Sequence, residues 1–136
     1  MITAIVGLIP LEQNVLFPRK RTGVSMGLFN VFSSVVDEMP PQGIVAALKL
    51  ERRMLEDDLA HQRIHQKEDA RSILCFCQFV DAVKQNIEFP PTVLPAEHVS
   101  FYRKTTDRLI KARLLPPKAS KWFESAFTKN SFKFAA

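Results

Sequence analysis

The sequence predicts an all-α fold: a single-domain bundle of about five helices with a short extended N-terminal segment. Three observations support this fold class. Apolar residues recur at steps of three and four along most of the chain, which is the spacing of amphipathic helices. Proline pairs at 40–41, 90–91 and 116–117 divide the chain into segments of helical length. A length of 136 residues with 46% hydrophobic composition suits one domain, residues 1–136, with a real core.

The first 23 residues are predicted to form an N-terminal arm and a basic loop. The run "MITAIVGLIPLEQ" is apolar, but Pro10 interrupts it and no basic residue precedes it. It is too short for a membrane span, which needs about 20 apolar residues, and it makes a poor signal peptide. We therefore expect a short strand or an extended arm on the core, followed by the basic loop "LFPRKRTG", and no association with a membrane.

Two amphipathic helices are predicted next. The first covers roughly residues 24–39, and its apolar stripe consists of Val24, Leu28, Phe32, Val35 and Met39. The second begins near Gly43 and carries a stripe of Ile44, Leu48, Leu55 and Leu59, with Leu50 and Met54 on nearly the opposite side.

A third helix over residues 69–86 is predicted to lie at the centre of the bundle. Its main face contains Ile73, Phe76, Cys77, Val80, Val83 and Ile87, and Leu74 and Phe79 make the other sides apolar too. A helix that is apolar almost all round needs burial. Cys75 and Cys77 point to nearly opposite sides of this helix, because each residue advances about 100°. We expect both to be reduced core residues, which favours a cytoplasmic protein.

Two more helices complete the predicted bundle. Pro95 suits the first turn of the fourth helix, whose inner face is Val99, Tyr102, Thr106, Leu109 and Ile110. The fifth starts near Pro117 and repeats Ala119, Trp122, Phe123, Ala126 and Phe127 at helical spacing. Residues 129–136 are predicted to be a tail that docks through Phe132 and Phe134.

The stretch "LEDDLAHQRIHQKEDAR" is the closest approach of this sequence to metal-site chemistry. On an ideal helix Asp57, His61, His65 and Glu68 fall within a sector about 80° wide, and two histidines at i and i+4 can share a zinc ion. This sector lies opposite the leucine stripe, so we expect a charged helix end that projects into water beyond the core. His61 and His65 stay weak metal candidates, and a metal-dependent helical enzyme is the least favoured function.

Other catalytic motifs are missing from the sequence in the context that they need. Only four glycines are present and none forms a phosphate-binding loop. Residues 23–27, GVSMG, match the letters GxSxG, but they follow a predicted basic loop and not the strand that a nucleophile elbow requires. His98 and Tyr102 are spaced to stack on the fourth helix, for which a packing role is favoured over catalysis. We therefore predict a protein without catalytic residues or cofactors.

The positive charge is concentrated in the C-terminal third. From residue 101 onward nine basic residues face two acidic ones, whereas residues 37–69 hold eight acidic and five basic residues. The leading hypothesis is that DNA or RNA binds the basic third. Its predicted contacts are Arg103, Lys104, Arg108, Lys111, Lys118 and Lys121. The alternative is a protein-interaction or self-associating module, in which the same helices meet an acidic partner or another copy of the chain.

Overall fold

A computed structural model describes residues 27–128, and this part of the chain is all helical with no strand. The elements in chain order are α1 (Leu28–Glu38), α2 (Pro41–Ala60), α3 (Lys67–Lys84), α4 (Ala96–Lys111), α5 (Lys118–Phe123) and a π-helical turn (Glu124–Thr128). The predicted all-α class with five helices is confirmed. The predicted arm over residues 1–23 and the tail over residues 129–136 lie outside the described residues.

Helix α1 begins at Leu28 because Gly27 before it is extended, with φ −73° and ψ 160°. The predicted start at Val24 lies outside the described residues. Side chains near the start of α3 satisfy the first amide groups of α1: Leu28 N–H donates to Gln66 Oε1 at 2.7 Å, and Phe29 N–H donates to Asp69 Oδ2 at 2.9 Å. A carboxylate at a helix N-terminus also complements the helix dipole.

Helices α2 and α3 form a hairpin across the loop at residues 61–66. The prediction that this stretch is a charged helix end projecting beyond the core is wrong. Helix α2 stops at Ala60, Gln62 takes a left-handed conformation with φ 55°, and Ile64 turns inward and is only 8% exposed. The Arg63 guanidinium pairs with Asp57 and Asp58 across the turn. The chain therefore turns at Gln62 and buries Ile64, and it does not continue as a helix.

Helix α3 lies at the centre of the core, as predicted. Phe76 and Phe79 are both fully buried, and the Phe76 ring stacks on the Tyr102 ring of α4 at a centroid distance of 4.5 Å. Ile87 is the exception on the predicted face, with 52% exposure. Because α3 ends at Lys84 and Asn86 has a positive φ of 62°, Ile87 no longer follows the helical period.

An aromatic cluster joins α3 to the C-terminal elements. The Phe79 ring meets the rings of Phe89, Phe123 and Phe127 at centroid distances of 6.0, 5.6 and 5.3 Å. Pro117 is the N-cap of α5, so this helix starts one residue later than predicted. Its Trp122 is only partly buried, unlike its neighbour Phe123. The α4–α5 turn is therefore held against the core by phenylalanines and leaves Trp122 near the surface.

Candidate nucleic-acid interface

Two of the six predicted contact residues form ion pairs within the molecule. Arg103 Nε lies 3.0 Å from Glu124 Oε2, and its guanidinium sits 5.8 Å from the centroid of the Phe123 ring. Lys104 Nζ lies 3.1 Å from Asp37 Oδ1 on α1. Both side chains remain partly exposed, so each is held by a surface ion pair.

Arg108 has a different role, because it binds the end of another helix. Its Nη1 donates to the Val36 carbonyl at 3.1 Å and its Nη2 donates to the Met39 carbonyl at 2.5 Å. These carbonyls lie at the C-terminal end of α1, where the helix dipole is negative, and the Val36 carbonyl also accepts a bond from the Met39 N–H at 3.1 Å. Arg108 therefore joins α4 to α1, and its planar guanidinium suits two acceptors at once.

The other three predicted residues, Lys111, Lys118 and Lys121, are exposed and have no ion pair among the described residues. Arg113 belongs with them: it is exposed in the α4–α5 turn, where its φ of 64° is left-handed. The basic turn is the name used below for Lys111, Arg113, Lys118 and Lys121. The sequence pattern did not select Arg113, because this residue lies between the two helices that carry the predicted contacts.

Apolar and aromatic groups lie between the cations of the basic turn. Lys118 Nζ sits 4.7 Å from the centroid of the Trp122 ring, within the range of a cation–π contact. A shallow hollow lies beside it, lined by Ile110, Arg113, Leu114, Leu115, Pro116 and Pro117. The basic turn thus combines exposed positive charge with a partly exposed aromatic ring.

The described part of the molecule is close to neutral as a whole, and outside the basic turn its acidic residues outnumber its basic ones, 13 to 10. Residues 27–128 hold 14 basic and 13 acidic residues, a net charge of +1, whereas the whole chain carries +5. Much of the formal charge therefore lies in the sequence before residue 27 and after residue 128. Within the described residues the positive potential is local.

His61 and His65 are exposed, as expected, but they do not lie on one helix face. His61 is the C-cap of α2, with Nδ1 3.2 Å from Asp57 Oδ1, and His65 lies exposed in the following loop. The shared helical sector does not exist, since the helix ends before both residues. Among residues 27–128 no three or more His, Cys, Asp or Glu side chains are grouped as metal ligands.

A buried polar cluster joins α3 and α4. Ser72 Oγ lies 2.8 Å from His98 Nδ1 and 2.7 Å from the Tyr102 hydroxyl. The His98 ring stacks on Phe29 at 3.6 Å, whereas its contact with Tyr102 is edge-on at 6.3 Å, so the predicted His98–Tyr102 stack is wrong. Burial lowers the pKa of His98, partly offset by the charges of Asp69 and Glu97, and burial raises the pKa of Tyr102.

A serine bonded to a histidine is the pattern of an activated nucleophile, but these groups are closed to substrate. Ser72 is 2% exposed, His98 7% and Tyr102 0%. Each of these polar groups is within hydrogen-bonding distance of another of them inside the aromatic core, as is general for buried polar groups. The cluster therefore serves packing, and sequence reasoning missed Ser72 because its partners lie 26 and 30 residues away.

Comparisons with protein-family models, with curated proteins and with solved structures find no match to this chain. Helices α1 to α5 include none with the length and apolar character needed to cross a bilayer.

Proposed function

We propose that the chain is a non-catalytic nucleic-acid-binding protein that contacts phosphates through the basic turn. The observation that carries this proposal is the placement of four exposed cations within residues 111–121, on both sides of one turn. None of the four has an ion pair within residues 27–128. Because no carboxylate of the described range pairs with these side chains, we expect them to be available to a polyanion, and each contact with it releases condensed counterions.

The same geometry argues against insertion of α4 into a DNA groove. Arg103, Lys104 and Arg108 lie along the helix face that would have to turn toward the bases, and all three bind groups of this chain. We therefore expect contacts to the phosphate backbone with little base preference. Trp122, partly exposed beside Lys118, offers a surface on which an unpaired base can stack.

This proposal changes the residue set inferred from the sequence. Lys111, Lys118 and Lys121 stay as phosphate contacts and Arg113 joins them. Arg108 is assigned to the α1–α4 junction instead. Lys104 is a secondary contact, since its ion pair with Asp37 is a surface one.

The proposal includes a cytoplasmic location. Cys75 and Cys77, two residues apart on α3, are not joined in a disulfide, which fits a reducing compartment. Burial raises the pKa of the Cys75 thiol, so this group is a weak nucleophile and suits a packing role.

A salt titration with labelled oligonucleotides tests the proposal. The four contacts of the basic turn contribute about −3 to −4 to the slope of log affinity against log salt for duplex DNA, and the secondary contact of Lys104 adds about −0.9. The double change Lys111→Glu and Lys118→Glu should weaken binding to every sequence tested and flatten this slope. The matched control is Lys67→Glu with Arg71→Glu, two exposed cations of α3 that also lack an ion pair among the described residues.

Two outcomes contradict the proposal. One is an absence of binding to duplex and single-stranded oligonucleotides at about 50 mM salt, a concentration at which phosphate contacts are strong. The other is an equal loss of affinity in the control variant, which would indicate a diffuse effect of charge. In either case the protein-interaction or self-association alternative becomes the better explanation, and light scattering of the free protein tests its self-association branch.

A further inference from the structure

A groove of about 300 Å³ lies between α2 and α3. Its floor is apolar and consists of Val45, Leu48, Cys77 and Val80. No residue of α4 or α5 lines it, so it is separate from the basic turn. The interface of these two helices is therefore packed on its inner side and open along an outer seam.

Charged residues surround this floor, and the positive ones predominate. Both acidic residues are already paired with one arginine: Arg52 lies 3.2 Å from Glu56 and 2.5 Å from Asp81. The three remaining cations of the rim are Lys49, Arg53 and Lys84. All three are exposed and have no ion pair within the described range.

The register of the hairpin brings these cations together along the groove. The contact between Arg52 and Asp81 fixes α2 and α3 side by side, and helices joined by a short loop run antiparallel. Lys49, three residues before Arg52, then lies level with Lys84, three residues after Asp81. Arg53 is one turn from Lys49 on the same helix face. The result is a positive rim on both sides of the apolar floor.

The length of the groove favours a helical ligand. The lining residues of α2 run from Val45 to Glu56, which at about 1.5 Å per residue is about 16 Å, or three helical turns. A long, shallow apolar seam with a charged rim is the setting in which an amphipathic helix packs on two others. A helix with acidic residues beside its apolar stripe complements the rim, whereas this chain's own run of Arg19, Lys20 and Arg21 has the same sign of charge.

We propose that the α2–α3 groove binds an acidic amphipathic helix of a partner protein. Apolar side chains of that helix pack on Val45, the partly exposed residue of the floor, and its carboxylates pair with Lys49, Arg53 and Lys84. This interaction is independent of the basic turn, because the two surfaces share no residue.

The probe is a labelled 18-residue peptide with leucine on one helical face and glutamate on both flanks, titrated against the full chain by fluorescence anisotropy. Two matched peptides accompany it, one with lysine in place of glutamate and one with serine in place of leucine. We expect binding of the Glu–Leu peptide alone. Reversal of rim charges by Lys49→Glu with Lys84→Glu should weaken this binding by about tenfold or more.

Val45→Asp tests the apolar floor and should weaken binding by at least as much. Lys67→Glu with Arg71→Glu is the control and should leave peptide affinity unchanged. Circular dichroism is measured for each variant, and the rim variant should match the wild type because both of its side chains are exposed. Its oligonucleotide affinity should also be unchanged, which separates a failure here from a failure of the nucleic-acid proposal.

Several results overturn the inference: no peptide binding, equal binding of the Lys–Leu peptide, or retained affinity in the rim variant. A dimer that dissociates in the rim variant would show that a second copy occupies the groove instead. Loss of oligonucleotide binding in the same variant would make the groove part of a polyanion site, and binding of laurate without the peptide would make it a lipid site.

Discussion

Arg108 and Lys111 lie one turn apart on α4, yet they make different contacts. Arg108 is partly buried and donates to two carbonyls at the end of α1, whereas Lys111 is exposed and has no ion pair among the described residues. By sequence alone they belong to one basic face. A cationic stripe can therefore contain side chains of two kinds, some that hold the fold together and others that are available to a ligand.

The cause of this division lies far away in the sequence. The carbonyls that Arg108 binds belong to Val36 and Met39, about 70 residues earlier, and the Met39 carbonyl has no helical donor because α1 does not continue through Pro40 and Pro41. Arg103 and Lys104 are likewise held by residues from other elements, through ion pairs with Glu124 and Asp37 respectively. No local pattern predicts these pairs, since each depends on how the helices pack.

The largest expected effect concerns the buried side of α4, the helix that carries both Arg108 and Lys111. Phe76→Ala removes the ring that stacks on Tyr102 in a fully buried site. We expect it to lower the free energy of unfolding by about 3–5 kcal/mol, as other truncations of buried phenylalanine do. Urea denaturation measures this change. A loss below about 1 kcal/mol would mean that α3 is not the centre of the core.

The comparison of Arg108 with Lys111 makes the second prediction. Arg108→Ala leaves two carbonyls at the end of α1 without their charged donor, so we expect a loss of about 1.5–3 kcal/mol in the free energy of unfolding. Lys111→Ala should change stability by less than about 0.5 kcal/mol, the usual range for exposed sites. Arg108→Lys keeps the charge but loses the forked geometry, so it should recover only part of the loss. Equal effects of the two alanine variants would remove the distinction on which the revised site rests.

The third prediction uses the buried histidine at the start of α4. Because burial lowers the pKa of His98, the unfolded chain binds this proton more readily than the folded protein does. Stability is therefore greatest above the ordinary histidine pKa of about 6.5. It falls as the pH is lowered from there and levels off below the folded-state pKa.

Urea denaturation at a series of pH values measures this dependence. His98→Gln should remove this part of the pH dependence while keeping a polar side chain for Ser72. The exposed His65→Gln is the matched control and should leave the pH dependence as it is in the wild type. Persistence of the full slope in His98→Gln would assign the effect to other groups.

The fold was easier to predict than the site because its signals are local. Apolar spacing placed Phe76 and Val80 inside and found α3 and α4 to within a few residues. It failed at His61 and His65, where burial of Ile64 and the left-handed Gln62 end the helix. It failed again for the basic stripe, since an arginine bound to a remote carbonyl has the same local sequence as a free one.

Lys104 provides the smallest effect and the sharpest test of the division. Its ion pair with Asp37 joins side chains that are 56% and 43% exposed, so a double-mutant cycle should give a coupling of only about 0.2–1 kcal/mol. The coupling should shrink further as salt is raised, because exposed charges are screened.

A pair this weak can open for a phosphate, so Lys104→Ala should cost little stability. It should also reduce the salt slope of nucleic-acid binding by about 0.9, the value for one contact. If Lys104→Ala instead destabilises the fold as much as Arg108→Ala and leaves the slope unchanged, Lys104 belongs to the structural part of the stripe. The available part then begins only at Lys111.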